Sequence, residues 1–168
     1  MTPERRSFLS LSALTCLLAG CGFELRQPSH YAFQTFFSAL PENSPIGSKL
    51  RRQIEASGQV EFIRDPREVE RAQVIFDQLG ELREKVVVAR TTTGTIREYQ
   101  LRLRYRFRLR TQGGKELIPD TELVLSRDIN YNETAALSTE AEEALLYRDM
   151  ENDLVQQLLR RFAAIREL

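Results

Sequence analysis

From Ile96 to Arg110 the chain alternates without interruption. Tyr99, Leu101, Leu103, Tyr105, Phe107 and Leu109 fall on one side, and Gln100, Arg102, Arg104, Arg106, Arg108 and Arg110 on the other. Period two with one apolar side predicts a strand in a sheet covered on a single face. A different period closes the chain. Ala141, Ala144, Leu145, Leu154, Val155, Leu158, Leu159, Phe162 and Ile165 recur at helical spacing, which predicts a long amphipathic helix. Thr139 with Glu142 reads as its capping box, Glu140, Glu142 and Glu143 crowd the expected first turn, and Arg160, Arg161 and Arg166 crowd the last.

The rest of the pattern supplies the partners. Tyr31 to Leu40 is rich in β formers and reads as a first strand. Ser44-Pro45 starts a short helix with Ile46, Leu50 and Ile54 on one stripe, and Gly58 stands at its C′ position. Val60 to Ile63 fits either state, and Asp65-Pro66 is a turn. Ala72 to Leu79 reads as a strand, with a bulge or bend at Gly80 and a continuation from Leu82 to Ala89. Thr91 to Thr95 connects it to the alternating strand. Gln112-Gly113-Gly114-Lys115 turns into a last strand towards Tyr131, with Pro119 marking a bulge or an edge. Strand, helix, three strands, helix predicts an α+β two-layer sandwich, with both helices on one face of a four-stranded, largely antiparallel or mixed sheet.

The first twenty residues have another logic. Arg5-Arg6 precedes an apolar run from Phe8 to Ala19, too short to span about 30 Å of hydrocarbon, which is an export-signal pattern. Leu18-Ala19-Gly20-Cys21 closes it and resembles the lipobox of bacterial lipoproteins. That resemblance implies removal of residues 1–20, acylation of Cys21, a tether over residues 21–30 and one domain over residues 31–168. In the lipoproteins it resembles an Asp after the Cys favours inner-membrane retention, so the resemblance implies the outer membrane for a chain with Gly22. Arg5-Arg6-Ser7-Phe8-Leu9 is similar to a twin-arginine motif, so the general and twin-arginine export routes both stay open.

Composition then excludes. The 168 residues carry 24 Lys+Arg against 24 Asp+Glu, with one His, two Cys and no Trp. Zero net charge argues against bulk electrostatic binding of nucleic acid. One His and two Cys cannot build a multi-ligand zinc site. With Cys21 acylated and Cys16 removed, no intrachain disulfide forms.

Candidate chemistry concentrates on the alternating strand. Five arginines at steps of about 6.8 Å form a ladder, each repelling its neighbour by about 0.6 kcal/mol in water. Glu122 and Asp128 of the next strand, on a face with Val124, Ser126 and Asn130, are placed to pair across. One reading is a solvated face neutralised by such pairs. The other is a surface that grips anionic groups or polar walls through guanidinium forks. No catalytic constellation competes with it. His30 lies in the tether without a nucleophile elbow, Gly94 and Gly113-Gly114 are turn glycines, and the glutamates near Thr139 serve a helix start rather than a metal. No cofactor is expected.

An ordered set of motifs resembles the LPS-assembly lipoprotein LptE family of Gram-negative bacteria. They are Cys21-Gly22-Phe23-Glu24-Leu25-Arg26, Arg97-Glu98-Tyr99-Gln100-Leu101, Leu125-Ser126-Arg127-Asp128 with Tyr131-Asn132 ahead of Ala135-Ala136-Leu137, and the closing run from Arg148 through Phe162. The resemblance implies a non-enzymatic protein that plugs and helps assemble the outer-membrane β-barrel LptD and assists lipopolysaccharide insertion. It implies contact with lipid A phosphates near Arg90 or Arg97, while Thr139 stands where that family has a second basic residue. Arg102, Arg104, Arg106 and Arg108 are the further candidates for contact with lipopolysaccharide or the partner. The alternatives are an envelope lipoprotein that holds another polyanion or peptidoglycan through its arginine face, and a lipid-anchored hydrolase using His30.

Overall fold

The computed structural model describes residues 30–132 and 136–168. The order of elements is β1 (Thr35–Ser38), α1 (Pro45–Glu55), β2 (Glu61–Ile63), a 3-10 turn (Pro66–Arg71), β3 (Val74–Arg90), β4 (Ile96–Thr111), β5 (Glu116–Asn130) and α2 (Ala136–Ala163). One sheet runs β2-β1-β3-β4-β5. β1 is parallel to both its neighbours, and β3, β4 and β5 are antiparallel. The α+β expectation holds, with α1 and α2 on one face of a mixed sheet.

The strand number is corrected from four to five. The added strand, β2, has three residues, too few for alternation to register, and parallel pairing with Thr35, Phe36 and Phe37 holds it in place. The 3-10 turn adds a third helical element, capped by the Asp65 carboxylate accepting from the Arg67 N–H at 2.9 Å. β1 is shorter than the predicted Tyr31 to Leu40, although Tyr31 and Phe33 are still buried. Ser44 caps α1 as expected, accepting from the Gly47 N–H at 3.1 Å. Gly58 takes the left-handed conformation (φ 67°) but stands two residues beyond the C-cap Ala56, one later than predicted. Helix α2 begins at Ala136, so Thr139 is buried within it rather than capping it, and the glutamates fall beyond its first turn.

The core lies between the sheet and the two helices. Leu101, Leu103, Tyr105, Phe107 and Leu109 are fully buried under α2, which presents Met150, Leu154, Val155, Leu158 and Phe162. Phe162 meets Phe36 at a tilt and Phe76 and Phe107 edge-on, with ring centroids 5.6, 5.8 and 6.4 Å away. At about 1.5 Å per residue, the 28 residues of α2 span about 42 Å and cover most of the sheet. A smaller cluster of Phe37, Ile63, Ala72 and Ile75, closed by Val69 of the 3-10 turn, sits on the opposite face at the β1 end.

Bulges set which way β3 points its side chains. Register with β4 slips between Gln78 and Gly80, between Val87 and Ala89, and between Ala89 and Arg90. One extra residue reverses the faces of everything after it. Val74 and Phe76 point to the helices before the slip. After it Arg83 and Lys85 do, and Leu82, Glu84 and Val86 point away.

Candidate functional site

The alternation of β4 places its arginines as expected. Pairs such as Phe76 with Leu109 and Leu103 with Leu125 join buried apolar residues, so the even-numbered residues of β4 face away from the helices. Arg104 and Arg106 are exposed on that open face, and Arg102, Arg108 and Arg110 are half-buried there.

Most of the ladder is already bonded to carboxylates. Arg104 grips both oxygens of Glu122, with Nε to Oε1 at 3.2 Å and Nη2 to Oε2 at 3.0 Å. Arg106 holds Asp120 the same way, Nε to Oδ1 at 3.3 Å with Nη2 on Oδ2. From the other flank Asp77 Oδ2 accepts from Arg108 Nε at 3.0 Å and Arg110 Nε at 2.8 Å. Burial raises the Asp77 pKa, but the hydrogen bonds and charges of Arg110 and Arg108 outweigh it and hold the carboxyl below its ordinary value. Hydrogen bonding to Glu122 and to Asp120 raises Arg104 and Arg106 respectively, so both stay charged. Arg102 differs, donating through Nε to Gln100 Oε1 at 2.8 Å, while Gln100 Nε2 donates to Asp128 Oδ1 at 2.9 Å. Glu122 thus pairs as predicted, Asp128 reaches a glutamine, and Asp77 and Asp120 are partners that reading the sequence missed. Leu82 and Val124 flank Arg104 in register and are about half exposed.

The structure sorts the remaining candidates. Arg90 ends β3 and donates through Nη1 to the Gly94 carbonyl at 3.1 Å, which fixes it at the β3–β4 hairpin tip. Arg97 is exposed at the same tip, close to where Arg90 pairs with Ile96. Neither joins the ladder. His30 is exposed, its Nδ1 3.1 Å from Gln59 Oε1. Among the described residues no group of three or more His, Cys, Asp or Glu side chains could hold a metal, and no helix is long and apolar enough to cross a membrane. Cys21 and residues 1–20 lie outside the described residues.

A second charged cluster, on the helix side, had no signature in the sequence. Glu151 is buried and pairs with Lys49 at 2.8 Å and Arg83 at 2.9 Å. Lys85 pairs with Glu143 at 2.6 Å and sits 4.6 Å from the centre of the Tyr99 ring. The hydrogen bond to Glu143 raises the Lys85 pKa. Tyr147 donates to the Glu84 carbonyl at 3.0 Å, and Arg127 pairs with Asp153. These contacts fasten α2 to α1, β3 and β5. The bulge at Leu79 created the cluster by turning Arg83 and Lys85 inward.

Comparison with known proteins is consistent along the chain. The family model described as LptE, lipopolysaccharide-assembly, matches residues 33–162. Among solved structures, the fold is similar to an uncharacterized lipoprotein B from Nitrosomonas europaea at 32% identity, covering 85% of this chain and 91% of that one, with a TM-score of 0.71. It is similar to the rare lipoprotein B from Shewanella oneidensis at 18% identity (78% of this chain, 94% of that one, TM-score 0.65). A minor lipoprotein from Acinetobacter baumannii shares the fold at 18% identity (80% and 94% covered, TM-score 0.62). No curated protein matches the chain.

Proposed function

The chain belongs to the LptE family of lipopolysaccharide-assembly proteins, and from that premise we propose that it is a non-enzymatic lipoprotein of the outer membrane that occupies the lumen of the LptD barrel. It is an envelope lipoprotein of lipopolysaccharide assembly. In the proposed arrangement acyl chains on Cys21 hold it at the membrane, it helps the barrel assemble, and it assists insertion of lipopolysaccharide into the outer leaflet.

The observation that carries this reading is the bonded state of the ladder. Arg104, Arg106, Arg108 and Arg110 are each engaged by a carboxylate. An anionic ligand would have to displace those carboxylates, whereas a wall of mixed polarity can exchange partners with both signs. The inside of an outer-membrane barrel is such a wall. This speaks against the alternative in which the face grips a free polyanion or peptidoglycan. Shape agrees. The described chain starts at the β1 end, while the stretch of β3 from Asp77 to Arg90 carries the hairpin tip roughly 43 Å further on at about 3.3 Å per residue. That exceeds the roughly 30 Å of a hydrocarbon core. An anchor at one membrane face and a tip near the other then fit one molecule inside a barrel. Arg90 and Arg97 at the tip are assigned to lipid A phosphates, and Arg102 to Arg108 to the barrel wall.

The test is purification of the full chain from gently solubilised outer membranes. Co-elution with a barrel protein in equal amounts is expected. Joint replacement of Arg104, Arg106 and Arg108 by Gln should release the barrel and leave the fold intact. A native chain that elutes alone would overturn the reading.

A further inference from the structure

Gly80 stands inside β3 with no conformational reason to be glycine. Positive φ among the described residues is confined to Gly58, Gly94 and Gly114, so Gly80 has a φ open to any residue. The adjoining bulge does not require glycine either. β3 slips again between Val87 and Ala89, where the sequence is Val87-Val88-Ala89. Nor is Gly80 crowded: a Cβ there would meet no atom within 4 Å. A glycine inside a strand gives up packing and costs entropy on folding. What it leaves is room for another molecule to come close to the backbone.

That room is on the arginine face. Gly80 pairs in register with Arg106, and Leu82 with Arg104. Arg106 is bonded to Asp120 and Arg104 to Glu122, which draws both guanidinium groups towards β5 and away from Gly80. The result is a notch with the half-buried Gly80 backbone as its floor. Leu82, 52% exposed, forms one end. Asp77, held by Arg108 and Arg110, forms the other.

The lining selects an aromatic side chain. Sheets cover a glycine with a ring laid over it from a neighbouring strand. The neighbour here is Arg106, so this glycine has no ring of its own. Leu82 offers apolar contact to such a ring, and guanidinium groups suit its face. A charged occupant finds the Asp77 carboxylate and its arginines already paired. A second copy does not supply the ring from its described residues, since every described Phe and Tyr is buried or half-buried and the chain has no Trp.

We propose, on the basis of the barrel reading, that the notch over Gly80 receives a Phe, Tyr or Trp side chain from the barrel wall, seated on the glycine backbone and against Leu82. This gives the interface a fixed anchor point beside a ladder of exchangeable ion pairs.

The test uses the full chain, with stability, release and cross-linking as readouts. Gly80→Ala and Gly80→Val should raise the urea midpoint of the free chain in detergent, because both residues fit the φ and restrict the unfolded chain. The same variants should dissociate faster from the barrel protein that co-purifies with the native chain, Gly80→Val by roughly tenfold or more. Benzoylphenylalanine introduced at position 82 should cross-link on illumination to a barrel peptide that contains Phe, Tyr or Trp. A lowered urea midpoint would mean that the glycine serves the fold, and would overturn the proposal. So would undiminished retention of the barrel by Gly80→Val, a cross-link to a barrel peptide without an aromatic residue, or a cross-link to Phe23 of the same chain. Each of these leaves the barrel reading standing as long as the native chain co-elutes with the barrel. A native chain that elutes alone removes both.

Discussion

On the open face of the sheet, Arg104 and Glu122 keep 44% and 35% of their side-chain surface in water. On the helix-covered face, Glu151 keeps 7% while holding Lys49 and Arg83 together. The chemistry is the same and the depth is not. Exposed pairs contribute about 0–1 kcal/mol each, because water and salt compete for both partners. A buried carboxylate with two cations is different: removing it leaves Lys49, 18% exposed, with only the Arg148 carbonyl, while Arg83 keeps Glu81. The covered face therefore fixes the fold, and the open face is free to change partners at little cost.

The sharpest way to break this contrast is to cut deepest on the covered side. Phe162→Ala empties a site bounded by Phe36, Phe76 and Phe107 and should cost about 3–5 kcal/mol, read from urea midpoints. Glu151→Ala should cost about 2–4 kcal/mol, against less than about 1 kcal/mol for Glu122→Ala. Equal losses for the two glutamates would end the distinction between the faces.

That distinction was half legible in the sequence. The open face could be read because β4 keeps strict period two from Tyr99 to Arg110, and nothing in the strand interrupts it. The covered cluster could not, because it depends on the bulge at Leu79. Read without that extra residue, Leu82 and Val86 share a side with Val74 and Phe76 and belong to the core. With it they are turned outward, and Arg83 and Lys85 go in. Gly80 hinted at a bulge, but not at which residues would change sides. β2 was illegible for a plainer reason: three residues carry almost no pattern, and their pairing to β1 is a tertiary fact. The carboxylates on the ladder were only partly legible, since Asp77 pairs from β3 and Asp120 sits where Pro119 shifts the register. The tip residues Arg90 and Arg97 came from family resemblance; both lie at the hairpin, with Arg90 opposite Ile96 rather than Arg97.

A smaller effect sharpens the comparison on the open side. The Asp77 carboxyl is held below its ordinary value of 3.8 by two arginines. A group with a lowered folded pKa contributes stability above its unfolded value and loses it as pH falls through the folded one. Asp77→Asn should therefore cost about 1 kcal/mol at neutral pH, and the gap to the native chain should close as pH drops below 3.8. A gap that persists in acid would make the Asp77 contribution one of shape rather than charge.

The smallest expected change concerns two polar atoms that lack a hydrogen-bond partner, one on each face. The Tyr105 hydroxyl is buried among the core residues, and Glu84 Oε2 is buried on the arginine face beside Arg102. Their neighbourhoods differ. Glu84 lies opposite a half-buried guanidinium that a change of rotamer can bring to it, so an encounter with a partner can satisfy it. Burial raises the Tyr105 pKa far above its ordinary value, which keeps the hydroxyl neutral and in need of an acceptor. An unmade buried hydrogen bond costs about 1–3 kcal/mol of desolvation, and removing the polar group removes that cost. Tyr105→Phe keeps the ring and its contacts with the core. Its stability should equal that of the native chain or exceed it by up to about 1 kcal/mol, measured by the same urea midpoints. A loss larger than that would mean the hydroxyl holds a buried water, and the covered face would then contain a polar network like the open one.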